Sequence, residues 1–544
     1  MKKELIVLCL ILFLAAALRL PFLEKFPNGF SGDEAIQGYT AYSILKTGRD
    51  EWGEFLPLFP RSFGDFKPPI YTYLTIPSVA IFGLNEFAVR LPSAIIGVLT
   101  VLLLYFLTQK LFGNRMLSAI SALVFAVSPW HFQFSRSALE ANLVPFFLVF
   151  GLFLFLKGIE KQRYLLMSFT TFGLSLYSYQ STKLFVPIFL LGFLLWARRQ
   201  LSLKAVIPAL IIFIIFLSPV LRSPGPRVFD VSIFGKGQLS SLNDTRFSCS
   251  QTLPDGICRI FHNKATFWST RFLENYFTYF SPTFYFTDNR PVFSYANLPG
   301  TPLLYWFELP LVLLGIFSLL KNKIVRFPLF LWLFLAPIPA SLTTGVMHVN
   351  RAVTFLPLLS IFSALGIFFL YQKFRLAFRR SLVILVLIIY FVSLVFVLEN
   401  YVVRLPENPA ESLRFGYKEV VIYTESVKDK YDKIIFSKSN SEPQAFVAFY
   451  ANMDPKAYQQ TSVDFLRYQE ESKTYLDQLS SYNLEKYEFR DIDWSKDKKI
   501  PNILMVGKSE EFPENVSGVK IVNFPNGKVA FKIVESEVKT ANSD

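Results

Sequence analysis

ANLVPFFLVFGLFLFLK (141–157) carries no charge before its last residue, and Lys161 and Arg163 follow within the next six positions. An apolar block of about 17–25 residues is long enough to cross a bilayer as a helix. Bases bunched at its end mark a cytoplasmic edge. The pattern recurs along the chain. Apolar blocks near 5–20, 90–109, 116–133, 164–181, 183–197, 204–221, 302–320, 327–344, 350–371 and 381–399 join 141–157 to give about eleven spans.

Of the 544 residues, 52% are hydrophobic and 17% aromatic, with 60 Phe, which is more than a water-soluble domain carries. The expected class is therefore an all-α polytopic membrane protein. The net charge of +14 is not a nucleic-acid signal, because of where it sits. Residues 401–544 hold 20 basic and 23 acidic side chains, whereas 1–400 hold 35 and 18. The basic excess lies between apolar blocks, at Lys2/Lys3, Lys110/Arg115, Lys157/Lys161/Arg163, Arg198/Arg199/Lys204, Lys321/Lys323/Arg326 and Lys373/Arg375/Arg379/Arg380. All of these fall on one side if segment 70–84 is a short re-entrant or interfacial helix and not a span. Residues 5–20 resemble a signal peptide, with Ala15-Ala16-Ala17 as small residues, but read better as an uncleaved first span. A plasma-membrane, multi-pass protein is expected.

Three regions then lie outside the cytoplasm: 21–89, 222–301 and the tail from about 400. The tail has soluble composition, with helix-like stretches at 407–427 and 461–480 and strand-like runs at 434–438 and 502–507. Its end, VKIVNF-PNG-KVAFKIV, predicts a hairpin turned at Asn526-Gly527. The domain reading is thus 1–400 in the membrane, with outer loops 21–89 and 222–301, and a small extracytoplasmic α/β domain over 401–544. Cys9 is a packing residue in the first span. Cys249 and Cys258 flank a short polar loop, a disulfide if that loop meets an oxidising exterior and two thiols otherwise. Three histidines make a multi-His metal site a poor expectation.

The membrane-associated polar residues that are not cytoplasmic bases gather on the outer side. They are Asp33/Glu34 after the first span, Asp65/Lys67 in GDFKPP (64–69), Arg136/Glu140, Lys183 after Tyr177 and Tyr179, and His348/Arg351. Carboxylates beside a bilayer are costly and usually functional. Lys67 can hold a phosphate as a point charge, or form a loop salt bridge with Asp65. Arg136 and Glu140, four apart, would share a helix face. Independent snorkelling is the competing account, but both signs on one side favour a shared outward cavity.

This ordered set resembles family 39 glycosyltransferases of the GT-C class, which include protein O-mannosyltransferases and bacterial aminoarabinose–lipid A transferases. The resemblance runs through Asp33-Glu34, KPPIYTYL (67–74), FGLNEFAVRLPSAIIG (82–97), 111–142, LSLYSYQSTKLFVP (174–187) and HVNRAVTFLPLLSIFSALG (348–366), roughly residues 1–400. It implies a GT-C fold and an inverting glycosyltransferase. The sugar would move from a polyprenyl-phosphate donor to a protein, lipid or glycan acceptor on the outer face. By the same resemblance Asp33 is the general base, and Glu34 shapes the site or holds the acceptor. Lys67, Arg136, Lys183 and Arg351 would bind the donor phosphate. Asp65, Glu140, Tyr177, Tyr179 and His348 would contact substrate. No cofactor is required by this reading, although carboxylates near a phosphate can share a divalent cation. Two features depart from the family. Where the aminoarabinose enzymes have Glu before the Lys-Pro lysine, this chain has Phe66, and no Trp-Trp-Asp of the oligosaccharyltransferases is present. A transporter or flippase of lipid-linked sugars is the alternative, and an envelope-assembly protein whose tail binds a partner is a third.

Overall fold

The computed structural model describes residues 2–62, 65–222, 231–287, 300–321, 323–345, 347–404, 414–440, 442–473 and 475–537. Gly64 of the GDFKPP motif and parts of the expected stretches 222–301 and 407–427 lie outside them. The chain separates into two compact units. One takes in 1–19, 93–135 and 139–397; the other takes in 20–92, 136–138 and 398–544.

The first unit is helical. It holds α1 (Lys2–Arg19), most of α4 (Glu86–Phe112), α5 (Arg115–Val127), all but the last residue of α6 (Pro129–Arg136), α7 (Leu143–Glu160), α8 (Arg163–Ser175), α9 (Thr182–Ala197) and α10 (Leu203–Arg222). Later helices include Glu308–Leu319, Leu356–Lys373 and Leu376–Glu399. Among the described residues five helices are long and apolar enough to cross a membrane: Glu86–Phe112, Glu140–Glu160, Leu203–Arg222, Val353–Lys373 and Leu376–Arg404. The pair α5 and α6 would pass together, bent by 58°. That bend has a local cause. Pro129 lacks an N–H and crowds the residue before it out of the α region, so Ser128 sits at ψ 125°. Thr182–Ala197, Glu308–Leu319 and Val325–Ser341 are shorter apolar helices.

Helices Glu308–Leu319 and Leu356–Lys373 meet backbone to backbone. A methyl group on Gly315 would fall 2.0 Å from the Phe362 carbonyl oxygen, and one on Gly366 would fall 2.0 Å from that of Leu311. Small residues permit this approach where lipid removes the hydrophobic drive between helices. Elsewhere the apolar side chains turn outward. Ile207, Ile211, Ile214 and Ile215 on α10, and Ile384, Leu385, Ile388 and Phe391 on Leu376–Glu399, are exposed. An apolar surface of that extent suits a bilayer, not water. In the segment 231–287, Cys249 and Cys258 form a disulfide between helices Lys236–Ser250 and Asp255–Phe261.

The second unit joins the segment after α1 to the tail. It contains α2 (Gly32–Thr47), α3 (Pro69–Phe82), the start of α4 and a six-stranded sheet. Its strands are β1 (Lys433–Phe436), β2 (Tyr482–Leu484), β3 (Tyr487–Phe489), β4 (Ile503–Gly507), β5 (Lys520–Asn523) and β6 (Val529–Glu535), in the order β2-β3-β1-β4-β6-β5. β1 runs parallel to both β3 and β4, and the remaining pairs are antiparallel. After the exposed Lys433 that opens β1, the two central strands are apolar because both of their faces are covered; Ile434, Ile435, Phe436 and all of β4 are buried. The β5–β6 hairpin turns through Gly527 at φ 83°, with a register shift at Val522/Asn523.

Helix α2 lies on the tail helix Pro443–Tyr450. A methyl group on Gly38 would meet Val89 Cγ2 at 2.6 Å and Phe449 Cε2 at 2.7 Å. Phe30 packs on Phe449 with ring centroids 4.8 Å apart. The Tyr39 hydroxyl donates to the Met453 carbonyl (3.2 Å), and Gln459 Nε2 donates to Ser43 Oγ, Thr47 Oγ1 and the Asp50 carbonyl.

Candidate active site

Ser31-Gly-Asp-Glu34 is a capping box. Glu34 N–H donates to Ser31 Oγ (3.3 Å), and Ser31 N–H donates back to Glu34 Oε2 (3.0 Å). The box sets the first turn of α2 and gives Glu34 and Asp33 opposite tasks. Glu34 turns inward and is 2% exposed. Arg90, 0% exposed, grips it with Nε on Oε1 (2.9 Å) and Nη2 on Oε2 (3.2 Å). Ala138 N–H adds a third bond to Oε1 (2.9 Å). Arg90 spends its other donors on the carbonyls of Leu23 (2.8 Å), Pro27 (3.1 Å) and Gly29 (2.6 Å). Phe30 lies 5.2 Å from its guanidinium. A fork with this many partners is the geometry in which a buried ion pair holds its own against desolvation.

Asp33 turns the other way. Its Oδ1 accepts from Lys67 Nζ at 2.5 Å, with the two side chains 31% and 14% exposed. Lys67 is held at the mouth of α3. Its N–H donates to the Pro60 carbonyl (2.8 Å), Arg61 and Phe66 form a β-bridge, and Pro68-Pro69 open the helix. The Asp65 carboxylate accepts Phe66 N–H at 2.8 Å, which shapes the turn before the lysine.

Arg136 is buried in the same unit. Its Nη2 donates to the carbonyls of Pro21 (2.9 Å) and Phe26 (3.2 Å), and its Nε to the Tyr401 hydroxyl (3.2 Å). The expectation that Arg136 and Glu140 share a helix face is not met. α6 ends at Arg136, and Glu140 opens a separate 3-10 turn, Glu140–Asn142. The cause is a competition for hydrogen bonds. Ala138 N–H goes to Glu34, and the Phe134 carbonyl that it would have met in a continuing helix accepts Ser93 Oγ instead (3.0 Å).

Glu140, Tyr177, Tyr179, Lys183, His348 and Arg351 belong to the first unit. The Tyr177 hydroxyl donates to the Phe216 carbonyl (2.7 Å), and the Tyr179 carbonyl accepts from Thr182 Oγ1 (2.6 Å). Lys183 is the second residue of α9 and is half-buried. Arg351 Nη1 donates to Thr343 Oγ1 (2.7 Å) and the Thr344 carbonyl (2.9 Å). Burial, then the Arg351 charge, push His348 down to about 4, so it is neutral at physiological pH and adds no positive charge there.

Three residues of the second unit were not singled out from the sequence. Arg90 lies inside the stretch 82–97, and Tyr401 follows the last apolar block. Glu442 stands alone in the soluble tail. It is half-buried at the start of helix Pro443–Tyr450, with a left-handed backbone at φ 57°. A methyl group on Gly32 would fall 1.8 Å from its Oε2. Among the described residues no group of three or more His, Cys, Asp or Glu is arranged to hold a metal ion.

Residues 66–222 match the family described as dolichyl-phosphate-mannose-protein mannosyltransferase. The YkcB protein of Bacillus subtilis is 30% identical over 216 residues, 38% of this chain and 28% of that protein. YycA of the same organism is 30% identical over 156 residues, 22% of its length. The matched segments thus span about a quarter of these relatives. Among solved structures, ArnT from Cupriavidus metallidurans bound to undecaprenyl phosphate superimposes with a TM-score of 0.54 at 12% identity, covering 98% of this chain and 99% of that one. The archaeal oligosaccharyltransferase AglB from Archaeoglobus fulgidus, in complex with an inhibitory peptide and a dolichol-phosphate, gives 0.51 at 15% identity, over 82% of this chain and 63% of AglB. The chain therefore shares the fold of ArnT and AglB and carries, over residues 66–222, the sequence pattern of the family described as dolichyl-phosphate-mannose-protein mannosyltransferase.

Proposed function

We propose that this protein is an inverting glycosyltransferase that moves a sugar from a polyprenyl-phosphate donor to an acceptor hydroxyl. The observation that carries the reading is the Asp33–Lys67 pair at the first turn of α2, a partly exposed carboxylate 2.5 Å from an ammonium group. Attack at an anomeric carbon needs a base on the acceptor side and positive charge on the leaving side. Asp33 takes the acceptor's hydroxyl proton, and the freed oxygen pair forms the new bond to the anomeric carbon. The bond from that carbon to the phosphate oxygen breaks, and its electron pair leaves with the lipid phosphate. Lys67 stands next to the base and meets the phosphate's developing charge. Attack from the face opposite the phosphate inverts the sugar. Glu34 acts by shape, since Arg90 and the cap hold it. Arg136 adds buried positive charge, and Asp65 sets the turn that presents Lys67. Lys183 and Arg351 as donor-phosphate ligands, and Tyr177, Tyr179, Glu140 and His348 as substrate contacts, stay in the proposal on the sequence resemblance alone.

The proposed topology has about eleven crossings, several of them short or bent. The 21–89 segment, the disulfide-bearing segment and the α/β tail then lie outside the cytoplasm in the plasma membrane. A disulfide suits an oxidising exterior. The test is transfer by purified protein in lipid, with radiolabelled undecaprenyl-phosphate sugars and cell-envelope extract, wild type beside Asp33→Asn. Label should reach an acceptor with wild type only, which also identifies sugar and acceptor. Wild-type turnover by Asp33→Asn would end the assignment. Label that crosses the vesicle bilayer equally with both proteins would mark a transporter instead.

A further inference from the structure

The tail brings a carboxylate to Asp33 that the proposed chemistry has not used. Glu442 Oε2 occupies the space where a side chain at position 32 would begin, 1.8 Å from an ideal Cβ on Gly32, and Gly32 is the immediate neighbour of Asp33. The backbone that delivers it is unusual. Glu442 has φ 57° directly before Pro443, a combination that L residues avoid unless the surroundings enforce it. The surroundings do so. Glu442 N–H donates to Asp477 Oδ2 (3.2 Å), and Asp477 Oδ1 accepts from the buried Tyr482 hydroxyl (2.8 Å). Backbone held in a sparsely populated region by its neighbours is a recurrent mark of functional positions.

We propose that Glu442 is a positioning residue that acts through Asp33: its carboxylate, lodged against Gly32, shares the Lys67 charge with Asp33 and so sets how strong a base Asp33 is. The inference rests on the transferase reading above. The charged groups facing Glu442 are Asp33, Lys67, Asp477 and Arg414. With Glu442 neutral, Asp33 faces the whole Lys67 charge and holds an acceptor proton poorly. With Glu442 ionised, two carboxylates divide one ammonium, and Asp33 draws the proton more strongly. Burial first, and the Asp33 charge next, raise Glu442 to about 7. The sign follows. Below neutrality Glu442 is protonated and the base is weak; transfer strengthens as pH rises through about 7.

The experiment uses the full chain in lipid and follows kcat/KM for transfer from about pH 5 to pH 8 in wild type, Glu442→Gln, Glu442→Asp and Gly32→Ala. Wild type should show a rising limb near neutrality. Glu442→Gln should lose the limb and fall about tenfold at the alkaline end, while Glu442→Asp keeps a limb. Gly32→Ala pushes a methyl group into the carboxylate's place and should resemble Glu442→Gln without touching an acidic residue. An active wild type whose pH profile Glu442→Gln leaves unchanged would overturn the inference and spare the transferase reading. A second readout needs no turnover. A carboxyl group raised on folding costs stability as pH climbs through its range, so the Tm of Glu442→Gln should gain on wild type from pH 5 to 8. A wild type inert with every donor, with that Tm gap still widening, would overturn the transferase reading and support the raised carboxyl. Inert protein with a flat gap would overturn both.

Discussion

Arg90→Met isolates the fork that holds Glu34. The substitution keeps apolar bulk and removes five donor contacts: two to Glu34 and one each to Leu23, Pro27 and Gly29. Glu34, 2% exposed, is left as a buried carboxylate without its counter-charge. Removing one partner of such a pair costs about 3–5 kcal/mol, because the survivor keeps its desolvation penalty. Each orphaned carbonyl adds to this less than additively. Against a native stability of about 5–15 kcal/mol the loss is large. It should also reach the chemistry, since the cap that sets Glu34 sets Asp33, and a displacement of about 1 Å costs about 100-fold in rate. The assay is thermal unfolding and transfer in lipid for Arg90→Met, Glu34→Met and the double variant. The double variant should recover at least half of the stability lost in Arg90→Met, less about 1 kcal/mol for the cap. A single variant within about 0.5 kcal/mol of wild type, or strictly additive losses, would refute the account of Glu34 as a structural anion.

Lys67→Ala should lower affinity for undecaprenyl phosphate about tenfold or more, with Lys67→Arg keeping part of it, because a point charge and not a fork is what the leaving group needs; equilibrium binding of the labelled lipid in vesicles measures both. His348, neutral above about 4, makes no charge change in the working range, so His348→Gln should leave the transfer profile unaltered between pH 6 and 8. A histidine lowered on folding takes up its proton first in the unfolded chain. Stability should therefore decline as pH drops from the ordinary histidine range towards about 4, and His348→Gln should flatten that decline in a Tm series.

What was legible in the sequence was whatever depends on local pattern. Apolar runs long enough for a bilayer declared themselves, and so did β1 and β4, whose IIF (434–436) and ILMVG (503–507) segments are apolar on both faces. The hairpin turn at Asn526-Gly527 was readable from its residues. Strands β2 and β3, three residues each, are too short for any period and exist through pairing with one another and with β1. The break after Arg136 was invisible because its cause, Glu34 taking the Ala138 N–H, lies 104 residues away. Asp33 and Lys67 stood out as charges at a membrane edge. Arg90 did not, set in an apolar stretch at the start of a span. Glu442 carried no local signal at all, and only the fold brings it to Gly32.

The second unit is built from two long lengths of chain, 20–92 and 398–544, and the short piece 136–138, with most of the other unit lying between the two in sequence. On the ribosome this imposes a wait. The segment bearing Asp33 and Lys67 emerges before the tail, and Phe449, Met453 and Gln459, on which α2 rests, arrive only about 380 residues after Lys67, tens of seconds at about 5–20 residues per second. Through that interval Phe30, Tyr39 and Gly38 present an uncovered apolar face, which invites either premature lipid contact or a holding partner. The acidic first turn of α2 thus acquires its Glu442 neighbour only after the tail has been made, and until then no carboxylate stands against Gly32.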